Sequence, residues 1–497
     1  MRKIGLILLV LILLVGTQPA LATGEFHLAG YEADSTNRDW NNSLFFQRWS
    51  ALFDLSLSFS QYGEYADWQK EIQAYLNGAA LPDALFKAEL NVPETLDLYE
   101  QGLIINLRPF IEADMPNLNA LLKENPEWEK AIMLKDGAIA ALPGLTKLQV
   151  NNAVWVNAQW LEALKMDMPT DKESFVNVLR AFKEKDPNRN GKKDEIPFAY
   201  LGTWDLKFLA HAYGLIANDY NVYVDDGGQV RYLAEAEGFR DFVAWLRDLY
   251  TEGLLDKNGF STVDSARQIT DEKATITYGM LMGSSPVNLL PAANSDIYSI
   301  MEPLEYEGEQ VYRDLLWQVT RGTFAITNAC KDPSALLKAI DYLYSNEGAI
   351  LAQAGIEGEE FKRDENGKWS FITTDEMDSL NNVRAATIAD GGLSYYVSDE
   401  IALSYGDENA VKSTQEYIRL NALSELPYPL VMLDKQTQQQ ADELQAKLGR
   451  LFEMSMGRFV LSQTELNDEN WAAFLQELDV NGLEEFLAIW QTAYDER

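Results

Sequence analysis

The 497-residue chain has one cysteine, Cys330, and two histidines, His27 and His211. A single cysteine excludes an intramolecular disulfide, so stability has to come from core packing and ligands. Cys330 stands in no nucleophile motif and reads as a half-buried, inert thiol. Two histidines, neither in an H-E-x-x-H pattern, give no basis for a zinc site and read as structural. Cations are scarce as well: 41 Lys and Arg face 77 Asp and Glu, a formal net charge of −36. A field of that sign repels phosphate backbones and anionic lipid, which argues against nucleic acid and membrane surfaces as partners. Also missing are a G-x-S-x-G elbow, a phosphate-cradling G-x-x-x-x-G-K loop and a G-x-G-x-x-G fingerprint, so serine esterases and nucleotide chemistry are poor readings. A glycosidase needs only two carboxylates about 5 to 10 Å apart, and with 77 acids that enzyme alternative stays open.

Aromatic residues, in contrast, are plentiful, with 12 Trp, 23 Tyr and 21 Phe, and 47% of residues are hydrophobic. At roughly 150 residues per domain the length suggests two or three domains with a large core. Residues 27–31 read as a first strand and the Leu55, Leu57, Phe59 alternation as a second, with a helix around Trp49 between them. Another helix is expected at 67–75 and a short buried strand near 81–86, so the first hundred residues read as α/β. The clearest helix spans 171–185, with Phe175, Val178, Leu179 and Phe182 at helical spacing behind a Thr170-x-x-Glu173 capping box. Further helices are expected at 236–252, 334–346 and 437–461, and strands at 275–281 and 322–327. No repeat or linker separates domains, which implies short connections that cross more than once.

Residues 1–22 read as a secretory signal peptide: Arg2 and Lys3, an apolar run from Ile4 to Val15, then Ala20-Leu21-Ala22 as the cleavage site. The run is too short for a bilayer span of about 20 residues. Its removal near Ala22 takes away two cations, so the exported protein is the more acidic form. No cysteine follows the site, which gives no lipid anchor.

One motif carries chemistry. Asp186, Asn188, Asn190 and Asp194 occupy loop positions 1, 3, 5 and 9, Gly191 occupies position 6, and the Lys192 carbonyl adds position 7, as in the first part of an EF-hand loop. Position 12 is Pro197 rather than Glu, and Glu195 at position 10 is the nearby substitute. A structural calcium is expected there, against the alternative of a metal-free Asx-turn loop.

The stretch Val154-Trp155-Val156-Asn157-Ala158-Gln159-Trp160-Leu161, followed by Met168-Pro169-Thr170 and residues 186–197, resembles the extracellular solute-binding proteins of ABC sugar importers, family 1, in the lipoprotein-LplA and alginate-binding branch. Leu81-Pro82-Asp83, 99–103, 136–143, 253–255, 341–348, 355–358 and 493–497 extend the resemblance over nearly the whole chain. It implies a two-lobe α/β fold of the periplasmic-binding-protein type II class, with a ligand cleft between the lobes and crossing hinge segments. The expected division is 23–148 plus 302–355 for one lobe and 149–301 plus 356–497 for the other. The resemblance also makes Asp186, Asn188, Asn190, the Lys192 carbonyl, Asp194 and Glu195 the calcium ligands, since that branch uses a Glu at position 10. Relatives often have a lipid-anchor Cys and a basic residue where Asn157 stands, and this chain departs from both.

What it implies about function is non-enzymatic delivery of a saccharide to membrane permease subunits by a monomeric, extracytoplasmic protein, with a sensor-presenting subunit as a further alternative. Sugars offer apolar ring faces to aromatics and hydroxyls to planar polar groups. The expected cleft residues are therefore Trp40, Trp204, Tyr278, Trp317 and Tyr395, with Asp39 and Arg321 as hydrogen-bonding partners. No cationic cluster occurs in these loops, which favours a neutral oligosaccharide over a polyuronide.

Overall fold

The computed structural model describes residues 24–33, 38–260, 267–365, 367–373, 392–404 and 408–497. The expected signal peptide lies outside the described residues.

Among the described residues the chain builds two main sheets, of six and four strands, besides three two-stranded pairs. It opens with β1 (Gly24–Tyr31), the helix Leu44–Leu52, β2 (Leu55–Tyr62), the helix Tyr65–Leu76 and β3 (Ala84–Phe86). Four short helices between Val92 and Ile132 lead to β4 (Leu142–Thr146). β1 and β2 run parallel with Leu28 opposite Phe59, the βαβ arrangement that the alternation in 55–60 suggests. The chain then passes to a second sheet made of β5 (Ala153–Asn157), β6 (Ile196–Ala199), β7 (Tyr278–Gly283) and β8 (Tyr298–Met301). It returns as β9 (Val319–Ile326), the helix Pro333–Leu343 and β10 (Tyr396–Val397), and ends in the helices Glu408–Asn421, Lys435–Val460, Asp468–Val480 and Leu483–Asp495. The spatial orders are β10-β4-β9-β3-β1-β2 and β8-β5-β7-β6. The architecture is thus mixed α/β in two lobes.

Each sheet has its own core. Phe45, Trp49, Phe86, Phe324 and Leu337 fill the first, and Phe175, Phe182, Phe198, Phe239 and Phe452 the second. The helix Lys172–Glu184 buries the four apolar residues that its spacing indicates. Its cap differs from expectation: Asp171, not Thr170, is the N-cap, and Ser174, not Glu173, closes the box. The Asp-Ser pair satisfies two backbone donors one residue further on, Ser174 N and Asp171 N.

Among the described residues the chain passes between the sheets three times, after β4, after β8 and after β10. The crossings are tied together by the strand pair Tyr312–Arg313 with Ser424–Glu425 and by buried polar groups. Arg313 Nη2 donates to Asn151 Oδ1 (3.0 Å), Gln149 Nε2 to Ser424 Oγ (3.2 Å), and Tyr417 Oη to the Asn151 carbonyl (2.8 Å). The expected division of the chain assigns 356–497 to the second lobe, yet β10 pairs with β4 of the first sheet, Tyr396 opposite Leu145. The hairpin Phe361–Arg363 and Trp369–Phe371 packs with Val397 and the helix Asn346–Ala354, also on the first sheet's side.

Candidate functional site

Parallel strands carry their ligand-facing loops at their carboxyl ends. In the first sheet that edge holds Glu32 after β1, Lys87 and Glu89 after β3, and the start of β9, which is antiparallel and brings Arg321 and the preceding Trp317 to the same side. In the second sheet it holds Asn152 before β5, Trp204 and Asp205 after β6, and Ser284 after β7.

The first edge is built around a buried charge cluster. Lys87 pairs with Glu32 Oε2, Arg38 Nη1 lies 3.6 Å from Glu32 Oε1, and Trp40 Nε1 donates to Glu32 Oε2 at 3.4 Å. The Lys87 ammonium also stands 5.9 Å from the centre of the Trp40 ring. Lys87 and Glu89 both adopt positive φ (47° each), a conformation that costs side-chain-bearing residues free energy and concentrates at functional sites. Burial raises the Glu89 carboxyl above the usual range. Tyr65, 42% exposed, stands edge-to-face with Tyr31 at the end of β1.

On the second edge Trp204 is 40% exposed and meets Phe208 edge-on at 6.0 Å. A Cβ on Gly202 would stand 2.7 Å from Trp204 Nε1, so the glycine leaves room for the indole. Phe208 in turn is covered by the Arg313 guanidinium, 3.1 Å from its centre. Asp205 is fully buried, accepting from Asn152 Nδ2 and from the Leu201 N–H (2.8 Å). Burial lowers Lys207 to about 8 and Arg313 to about 10, because the low dielectric penalises their charged forms.

Of the expected cleft residues, Trp204 and Trp317 stand exposed, at 40% and 47%, each on the carboxyl-end edge of its own sheet. Asp39 is also exposed, with its carboxylate turned back onto Asn41 N (3.0 Å) and Asn42 Nδ2 (2.5 Å). Arg321 is half-buried and donates to the Val431 carbonyl at 3.0 Å, and burial pulls its guanidinium below the usual range. Tyr395 is half-buried, its hydroxyl accepting from Gln353 Nε2 at 2.7 Å. Two expectations fail. Trp40 is 2% exposed within a cluster of Phe46, Phe59 and Phe86, and Tyr278 is 4% exposed, with its hydroxyl donating to the Arg267 carbonyl. Core packing claims both rings. Sequence reasoning passes over Glu32, Lys87, Glu89 and Asp205; Glu32 and Lys87 directly follow an apolar strand, a signal that marks them, whereas Glu89 and Asp205 lie further along and have no such signal.

The loop 186–195 folds as a tight turn, with Asp186, Arg189 and Gly191 at positive φ. Asp186 accepts from Asn190 N and Gly191 N (3.0 Å each), Asn188 Oδ1 from Asn190 N (3.1 Å), and Asn190 Oδ1 from Lys192 N (2.7 Å). Glu195 Oε1 is buried with no protein partner, and burial beside Asp194 and Asp186 raises its carboxyl. Among the described residues no three His, Cys, Asp or Glu side chains converge as a metal site. A cation here would therefore rely on Asn188, Asn190 and backbone oxygen as well. Cys330 is half-buried and its thiol is pushed up to about 11 by burial. No described helix is long and apolar enough to cross a membrane.

No family model matches the chain. It is 25% identical over 489 residues to the fructooligosaccharide ABC transporter substrate-binding protein FusA of Streptococcus pneumoniae serotype 4, covering 92% of this chain and 88% of that protein. Among solved structures, an HMO binding, ABC-transporter-associated solute-binding protein from Bifidobacterium longum infantis aligns with a TM-score of 0.76 at 20% identity, over 95% of this chain and 99% of that one. A FusA EF-hand mutant in complex with fructo-nystose aligns with a TM-score of 0.68 at 22% identity, over 95% and 99%.

Proposed function

We infer that the chain is an extracytoplasmic oligosaccharide-binding protein of an ABC importer, a member of the solute-binding proteins to which these relatives belong. The observation that carries the reading is the pair of exposed tryptophans, Trp204 and Trp317, one on the carboxyl-end edge of each sheet. An indole held in water is costly unless a ligand covers it, and sugar ring faces suit that role. Closure of the two lobes would bring the rings onto one saccharide, while Asp39, Arg321, Tyr395, Glu89 and Asp205 supply or orient hydrogen-bonding groups. Among the described residues the first lobe comprises those of 24–146 with 319–373 and 392–397, and the second those of 153–301 with 408–497. The protein acts as a monomer, without turnover, and releases its sugar to permease subunits. A neutral oligosaccharide fits best, because Lys87 and Arg313 near the edges are already engaged by carboxylates, Lys87 with Glu32 and Arg313 with Asp219 (3.4 Å), which leaves Arg321, on the Val431 carbonyl, as the exception.

Calorimetry against a panel of neutral oligosaccharides and oligouronides, with chromatography of the mixtures afterwards, tests this. Saturable binding of a neutral member without cleavage is expected. Cleaved product would instead mean a carbohydrate-active enzyme.

The loop 186–195 is read as a structural calcium site on Asp186, Asn188, Asn190, the Lys192 carbonyl, Asp194 and Glu195. The donor set is all oxygen, as a hard cation prefers, and the buried, unpartnered Glu195 Oε1 supports it. Chelation should lower the melting temperature, and added calcium should restore it in proportion to the logarithm of its concentration. A melting curve indifferent to both would leave the loop a turn.

A further inference from the structure

One side chain connects the crossings to the exposed indole of the second lobe. Arg313 lies in the second crossing, and its backbone is tied to the other two. Asn151 Nδ2, in the first, donates to the Arg313 carbonyl at 3.2 Å, and Glu425, in the segment that follows the third, stands opposite Arg313 in the short strand pair. The guanidinium leaves this knot for the second lobe. Its Nη2 donates to Asn151 Oδ1 (3.0 Å), its Nη1 lies 3.4 Å from Asp219 Oδ1, and its carbon stands 3.1 Å from the centre of the Phe208 ring. The Arg313 side chain is 5% exposed, so water does little to weaken these contacts.

Phe208 passes the contact on. It is half-buried, and Trp204 meets it edge-on, with 6.0 Å between ring centres and 75° between ring planes. Trp204 itself stands on a helix of one turn, Thr203–Leu206, and among the described residues Phe208 is its aromatic neighbour. A phenyl face attracts a cation through its quadrupole, and a planar guanidinium covers that face as an ammonium cannot. The order of support therefore runs from the crossings to Arg313, to Phe208 and then to Trp204.

We propose that Arg313 is a positioning residue for the oligosaccharide site, which sets the Trp204 face through Phe208 and so makes the stacking platform depend on the arrangement of the hinge. The proposal rests on the importer reading and adds to it how that site is regulated. When the lobes close, the crossings turn against the second lobe and the Arg313 backbone turns with them. A guanidinium packed this closely on a ring cannot shift without moving the ring, and a contact that differs between open and closed lobes is what coupling requires.

The full chain, labelled with fluorotryptophan, gives the first test. The fluorine resonance missing from Trp204→Phe belongs to Trp204. It should move in Arg313→Lys, which keeps the charge beside Asp219 but loses the planar cover, while the Trp317 resonance, identified in the same way, should stay. Asp219→Asn is an exposed change that loosens the guanidinium, and it should move the Trp204 resonance as well, which keeps the test open if Arg313→Lys does not fold. A Trp204 resonance left in place by these changes overturns the proposal. Calorimetry with kestose, maltotriose and cellotriose gives the second test. For whichever of them binds, Arg313→Lys should raise Kd about fivefold or more in the native chain and less than about twofold in a Trp204→Ala background. Equal factors in the two backgrounds would make Arg313 merely structural and overturn the positioning role. Binding by none of the three counts against the importer reading, while the fluorine resonances still decide whether Arg313 sets the ring.

Discussion

At the scale of single residues, three tryptophans offer a test that distinguishes rings proposed to bind from a ring that packs. Trp204 and Trp317 are exposed, so truncating either to Ala should leave the melting temperature nearly unchanged and weaken oligosaccharide binding by about 1–3 kcal/mol, read by calorimetry. Trp40 is expected to behave in the opposite way. Its removal from the Phe46, Phe59 and Phe86 cluster should cost about 3–5 kcal/mol of stability, read by denaturant unfolding. His211 offers a pH test. Burial pulls its imidazole down to about 4, opposed by the Nδ1–H bond to the Phe208 carbonyl. A folded pKa below the unfolded value of about 6.5 means that the stabilisation is complete above 6.5 and is lost as pH falls toward 4. Between pH 7 and 4.5 the wild type should therefore lose about 2–3 kcal/mol more than His211→Gln. Equal acid losses in the two proteins would show that the ring titrates freely.

Among the elements, β9 shows where sequence and structure part. Gly322 has φ of 72°, and a Cβ there would overlap the Leu90 carbonyl, at a point where the pairing of β9 with β4 shifts register. Gly322→Ala should cost about 3 kcal/mol or more, seen as a lower denaturation midpoint with unchanged slope. That a strand lies near 322–327 was legible from its apolar run. That it inserts between β3 and β4 of the first sheet was not, because the pairing joins segments far apart in the chain and leaves no local periodicity. Helices read well for the opposite reason: Phe175, Val178, Leu179 and Phe182 reveal their face within one window. The candidate site was legible in part. Exposed Trp204 and Trp317 were in view, but no sequence rule told them apart from buried Trp40 and Tyr278, since aromatic rings serve cores and ligands alike.

For the molecule as a whole, three exposed ion pairs join elements of the two lobes: Lys435 with Asp97 (2.6 Å), Arg497 with Glu127 (2.8 Å) and Lys135 with Glu496 (2.9 Å). Each is worth at most about 1 kcal/mol in water, too little to hold the lobes shut and enough to tune closure. Lys435→Glu should weaken oligosaccharide affinity by about threefold to tenfold with no loss of melting temperature, and the wild-type affinity should fall with added salt. The strand order β10-β4-β9-β3-β1-β2 has a further consequence, for the birth of the fold. The first 146 residues contain β1 to β4 but not the strand that joins β3 to β4, which arrives only after the whole second sheet has been made. Until then two strand edges stay open, with their backbone donors and acceptors facing water. A fragment ending before residue 319 should aggregate rather than fold. Assembly from the complete chain should be slow, set by the long loop that β9 has to close, and a polypeptide kept unfolded until its full length is available would escape that hazard.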